Sequence, residues 1–132
     1  MISTRGRYAL RVMIDLTEHG SKDYTPLKEV AERQHISKKY LEAIMTSLSK
    51  AGLVDAVHGK GGGYRLNRKP EEYTVGEVLR VTEGDLAPVA CVGSGGNHCQ
   101  YAGECKTLPV WDKLNLLING YLDGVTLADL AD

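Results

Sequence analysis

Two amphipathic helical patterns joined by a tight connection, followed at once by the glycine run HGKGGG between two short β patterns, leave few folds open to this chain. Thr25 followed by Pro26 reads as a helix cap with proline at the first helical position. Leu27, Val30 and Ala31 then form the inner face of a short helix ending near His35. Ser37 can cap the next helix, and Ile36 and Leu41 have the spacing of a hydrophobic staple. Leu41, Ile44, Met45 and Leu48 line one face of that helix before Gly52 closes it. Leu53–Val57 and Tyr64–Leu66 read as two strands of a hairpin around residues 58–63. A helix-turn-helix followed directly by a hairpin is the layout of a winged helix, so the expected fold is mainly α with a small β-hairpin wing.

The flanking sequence extends this unit on both sides. Ser3 and Thr4 can cap a first helix in which Ala9, Val12, Met13 and Leu16 recur at helical spacing until Gly20. Behind the wing, Thr74 with Glu77 makes a capping box and Tyr73 with Val78 a staple, which predicts a helix from Val75 to about Glu83, ended by Gly84. From Pro109 onward Val110, Trp111, Leu114, Leu116, Leu117, Ile118, Tyr121 and Leu122 cover more than one stripe of a helix. A small domain cannot hide them all, so a second copy is expected to cover the remainder, a two-fold homodimer being the commonest solution. Thr126–Asp129 reads as the cap of a last short helix. The 132 residues, 42% hydrophobic, thus divide into a winged helix-turn-helix domain (1–84), a connecting loop (85–107) and a dimerisation helix with its C-terminal short helix (108–132).

The partner of the winged unit follows from charge. Residues 1–73 hold 13 Lys and Arg against 9 Asp and Glu, and residues 74–132 hold 3 against 8, so the halves carry +4 and -5. Lys38, Lys39, Tyr40 and Glu42 crowd the first turn of the third helix. Lysines are unfavourable at a helix N-terminus and are better explained by an anionic partner, and that turn is the part of a recognition helix that enters a DNA major groove. Ser37, Lys38, Lys39, Tyr40 and Glu42 are therefore expected to read double-stranded DNA, with Lys60, Gly61 and Arg65 of the wing gripping the backbone. The glycine run is not a nucleotide-binding loop: no Gly-Lys-Ser/Thr follows four spaced residues, and Tyr64 stands where a dinucleotide fingerprint needs a small residue.

All three cysteines lie between residues 91 and 105, spaced C-x7-C-x5-C in a glycine-rich loop. Three thiolates in one loop can converge on an iron–sulfur cluster, on zinc completed by a histidine or carboxylate, or act as redox thiols. Cys91, Cys99 and Cys105 are the expected ligands, with His98 and Glu104 candidates for a fourth. No C-x-x-C pair marks a thiol oxidoreductase, and no nucleophile, histidine and carboxylate are persuasively placed, so an enzyme is not expected. No stretch approaches the roughly 20 apolar residues that cross a bilayer, nor does the N-terminus carry a signal-peptide run, so a cytoplasmic chain without a membrane partner is expected.

The segments RGRYAL, SKKYLEAIMTSLSKAGLV, HGKGGGYRL and TVGEVLRVTEG, in this order and followed by the cysteine loop, resemble the BadM/Rrf family of bacterial winged-helix regulators across essentially the whole chain. The resemblance is strongest to the branch that regulates through an iron–sulfur cluster. It implies a homodimeric DNA-binding repressor or activator holding a cluster, [2Fe-2S] in that branch, whereas other members lack a cluster and answer to a partner enzyme. Two departures matter. Leu108 stands where the branch places a histidine ligand, and the spacing from Cys91 to Cys99 is about two residues longer than in that branch, while Arg7 stands where the family's nitric-oxide sensors place an aspartate. The fourth ligand thus stays open among His98, Glu104, a carboxylate of the partner chain and a small molecule.

Overall fold

The computed structural model describes residues 2–20, 23–93 and 99–132. The helix α1 (Thr4–His19) starts where the Ser3 hydroxyl accepts from the Gly6 amide, and it stops where Gly20 donates to the Leu16 carbonyl. Its apolar face, Ala9, Val12, Met13 and Leu16, is buried as the spacing requires. Across it lie α2 (Leu27–Gln34) and α3 (Lys38–Lys50), whose Leu41, Ile44, Met45 and Leu48 complete the centre of the core.

Between α2 and α3 the turn is made by His35 in the left-handed conformation, φ 56°, with the Ile36 amide reaching back to the Ala31 carbonyl at 3.2 Å. This is a helix end usually built on glycine, and the burial of Ile36 compensates for the strained histidine. One charged group enters this core. Asp15 is fully buried on α1, bound by Arg33 of α2 at 2.8 and 3.1 Å and by the Gln34 amide at 2.7 Å.

Antiparallel strands β1 (Val54–Val57) and β2 (Gly63–Leu66) form the wing, with Val54 opposite Leu66 and Val57 opposite Gly63. Thr25 does not cap α2 as the sequence led us to expect. Its backbone pairs with Tyr64 in both directions, at 2.8 and 2.9 Å, which adds a bridge to the wing's outer edge, and Pro26 becomes the N-cap. The capping box of α4 (Val75–Glu83) is half made. Thr74 accepts from the Glu77 amide at 3.0 Å, but the Glu77 carboxylate turns to Arg68 at 3.0 and 3.2 Å, because a cation offers it more than a backbone amide does.

Tyr73, buried beyond a short 3-10 turn (Pro70–Glu72), ties the wing to the core. Its hydroxyl donates to the Leu53 carbonyl at 2.8 Å and accepts from the Asn67 and Arg68 amides at 3.0 and 3.1 Å. Then α5 (Leu108–Asp123) runs along α4, and α6 (Leu127–Leu130) returns to the winged core, where Leu127 is fully buried and its amide donates to the Tyr73 carbonyl.

Candidate nucleic-acid interface and cysteine loop

The first turn of α3 stands clear of the core. Ser37 caps it by accepting from the Tyr40 amide at 3.2 Å, and Lys38, Lys39, Tyr40 and Glu42 are all exposed. Lys38, Glu42 and Thr46, successive at i, i+4 and i+8, form one wall of a groove of about 470 Å³. Its other walls are Pro26, Leu27 and Lys28 at the start of α2 and Val57, His58, Gly59, Gly62, Gly63 and Tyr64 of the wing. The Tyr64 phenol is pushed up by burial and further by the Glu42 charge, which places an acidic acceptor inside an otherwise basic groove.

Sequence reasoning had passed over Lys28, Thr46 and His58. Lys28 sits in the first turn of α2, where its charge is as unfavourable as those of Lys38 and Lys39, and that was the signal available. The wing glycines have two explanations. Gly59 and Gly61 take φ of 92° and 78° and so need to lack a side chain. Gly62 and Gly63 are small because a Cβ would lie 2.2 Å from the Val57 carbonyl oxygen and 2.1 Å from that of Thr25, a demand of the hairpin itself. Lys60 and Gly61 lie exposed at the tip. Arg65 faces elsewhere. Its guanidinium lies over the Tyr24 ring at 4.5 Å and 3.6 Å from the Asp55 carboxylate, outside the groove lining.

The face of α1 next to α3 braces this site. Arg5 donates to the Ser47 hydroxyl at 3.0 Å, and the Tyr8 ring meets that of Tyr40 edge-on at 5.7 Å. One turn on, Arg11 covers Tyr8 and bonds to the Gln34 carbonyl at the end of α2.

The cysteine loop leaves α4 at Gly84 and is anchored by Leu86, buried with Val75 and Leu79 against Ile118 and Leu122 of α5. Cys91 is half-buried in a 3-10 turn (Ala90–Val92), Cys99 is exposed, and Cys105 is half-buried just before α5. None is in a disulfide. The Cys105 sulfur lies 3.2 Å from the Thr107 hydroxyl, which together with the Thr107 and Leu108 amides draws this thiol below its ordinary pKa. Glu104 is exposed, and His98 lies outside the described residues. Among the described residues no three His, Cys, Asp or Glu side chains form a metal-holding group.

On α5 no residue is buried. Ile118 and Leu122 pack against α4 and the loop, whereas Val110, Leu117 and Tyr121, on one face with Leu114, are exposed. No described helix is long and apolar enough to cross a membrane.

A family model described as "Rrf2: Iron-dependent Transcriptional regulator" matches residues 2–132. The chain is 40% identical over 129 residues to the HTH-type transcriptional regulator IscR of Aliivibrio salmonicida, covering 98% of this chain and 76% of that protein. Among solved structures, CymR, the global cysteine regulator of B. subtilis, is similar with a TM-score of 0.80 at 36% identity, covering 99% of this chain and 95% of that one. IscR of T. potens is similar with a TM-score of 0.76, also at 36% identity, covering 98% and 85%. With a winged helix whose third helix has an exposed first turn, a glycine-built wing and relatives named as regulators along nearly its full length, this chain belongs to the Rrf2 family of transcriptional regulators.

Proposed function

We propose that this regulator binds operator DNA as a homodimer and holds an iron–sulfur cluster, of the [2Fe-2S] type, in the loop between α4 and α5. The observation that carries the proposal is the loop itself: three cysteines, one with a pKa-lowered thiol at the start of α5, lie where the winged domain passes into the helix with the exposed apolar face. As a donor set, three thiols in one loop suit iron–sulfur or zinc ligation. Cys91, Cys99 and Cys105 would hold the group, and His98, Glu104, a carboxylate of the second copy or an exogenous thiol would complete it. Bound there, a cluster would supply one-electron redox chemistry and sensitivity to oxidants.

The chain's own residues do the rest. Lys38 and Lys39 approach the phosphates, while Ser37, Tyr40 and Glu42 face base edges, Glu42 accepting from a cytosine amino group. Lys60 at the wing tip grips the adjacent backbone. A ligand in the loop alters DNA affinity only by interacting differently with two arrangements of the winged domains, and the loop is covalently continuous with both α4 and α5. The chain has no proposed catalytic role and acts in the cytoplasm.

Anaerobically purified protein tests the reading. Visible absorption with iron and sulfide bound is expected, and each of Cys91→Ala, Cys99→Ala and Cys105→Ala should abolish it while the protein stays folded and dimeric. A colourless, zinc-loaded protein would replace the cluster by zinc. The likeness to CymR favours a second reading, a cluster-free regulator controlled by a partner enzyme, and protein without metal or colour would favour it. On the DNA side, Lys60→Ala should weaken binding to all duplexes and lower the salt slope by about one unit.

A further inference from the structure

The last residue of α4 is turned back onto the first turn of α1. One oxygen of the Glu83 carboxylate accepts from the Ser3 hydroxyl at 2.5 Å, the Ser3 amide at 3.3 Å and the Thr82 hydroxyl at 3.1 Å. Gly6 lies directly beneath, and a Cβ there would sit 2.6 Å from that oxygen. The first turn of α1 contains no acidic residue, so Glu83, distant in sequence, supplies the anion that a helix N-terminus favours. Burial raises the Glu83 pKa, but the Ser3 hydroxyl and amide outweigh it and hold the carboxyl below its usual range, so it is ionised at neutral pH.

The same turn of α1 also holds the recognition helix. Arg5 donates to the Ser47 hydroxyl and, at 3.4 Å, to the Ala43 carbonyl, and Tyr8 meets Tyr40. Beyond Tyr8, α1 is locked in the core by Ala9, Val12, Met13 and Leu16, so its exposed first turn is the part whose position is set from outside the core. Glu83 bonds to it there, and Glu83 is also the residue after which the cysteine loop leaves the winged domain.

We propose that Glu83 is a positioning residue for DNA recognition: through Ser3 and Arg5 it fixes α3 and ties that geometry to the stem of the cysteine loop. This rests on the reading of the chain as a DNA-binding regulator. It makes a prediction opposite in sign to electrostatics, since removing a carboxylate from a protein that binds a polyanion should by charge alone tighten binding.

The test uses the full chain and a duplex selected by the wild-type protein from random sequence, with a random duplex as reference. Glu83→Ala, which removes the acceptor of both Ser3 bonds at a half-exposed site, should weaken the selected duplex about fivefold without weakening the random one. Glu83→Gln, whose amide oxygen still accepts from Ser3, should stay within about twofold of wild type, and Ser3→Ala should add little to Glu83→Ala. Arg5→Ala should weaken the selected duplex with the salt slope unchanged. A slope lowered by about one unit would make Arg5 a phosphate contact and break the proposed route. Equal or tighter binding by Glu83→Ala, whatever its thermal stability, overturns the role of Glu83. A wild-type protein that selects no duplex overturns instead the DNA-binding reading on which it rests.

Discussion

In the winged half Met13, Leu41 and Ile44 have no exposed surface, whereas α5, at least as apolar along its length, buries none of its residues and leaves Leu116 and Tyr121 about 70% exposed. The winged half closes on itself because α1, α3, the wing and even the returning Leu127 present apolar faces to one centre. By contrast α5 meets the rest of the chain through one small apolar cluster, where Ile118 and Leu122 pack on Leu86, Val75 and Leu79. A polar tie lies beside it: Arg80 of α4 grips Asp123 at 2.7 and 3.0 Å and Asn119 at 2.6 Å, and this contact lowers the Asp123 pKa. A closed core therefore carries α5 as an arm held by an ion pair and one small apolar cluster. Its outer face can lose its exposed apolar surface only against another molecule, at about 2 kcal/mol for each large side chain so covered.

The difference can be broken most severely from the arm. Leu117→Glu combined with Tyr121→Glu places two charges on the outward face and should convert a dimer wholly to monomer, read by light scattering, while the thermal transition of the winged core stays within about 1 kcal/mol of wild type. A dimer that persists would move the interface away from α5. The face defined by Val110, Leu114, Leu117 and Tyr121 narrows the apolar set read from the sequence, since Ile118 and Leu122 of that set pack inward.

Asp15→Ala tests the other half. It leaves Arg33 and Gln34 without the buried acceptor between α1 and α2 and should cost about 2 kcal/mol in denaturant unfolding, less than a fully buried pair because Arg33 is partly exposed. The absorption of metal-loaded protein should not change. Smallest of all, His35→Gly relieves the left-handed turn and should raise stability by up to about 1 kcal/mol, provided that His35 has no other role. A loss instead would show that the histidine side chain holds the turn.

Most of the winged half was legible because its helices are amphipathic at 3.6 residues and its caps are local. Ser3, Ser37 and Thr74 each accept the amide three residues on, and such a bond needs only neighbours in sequence. Where a competing partner arrived from far along the chain, local reading failed. Thr25 was claimed by Tyr64 of the wing and Glu77 by Arg68, and Asp15, a charge in an apolar stripe, had a meaning only once Arg33 stood opposite. The exposed first turn of α3 was legible from its misplaced lysines, but Lys28 and His58 join Lys38 and Glu42 only because α2 and the wing converge on one groove.

By itself the sequence determined the winged helix, the exposed first turn of α3, the glycine-built hairpin and the confinement of all cysteines to one loop, since each depends on periodicity, capping or φ angles that neighbours impose. Only the tertiary structure decided which side of α5 faces its own domain, that Arg65 lies against Asp55 and Tyr24 outside the groove lining, and that Glu83 reaches Ser3. Those depend on side chains 10 to 80 residues apart meeting within hydrogen-bonding or van der Waals range, and only the closed fold creates such distances.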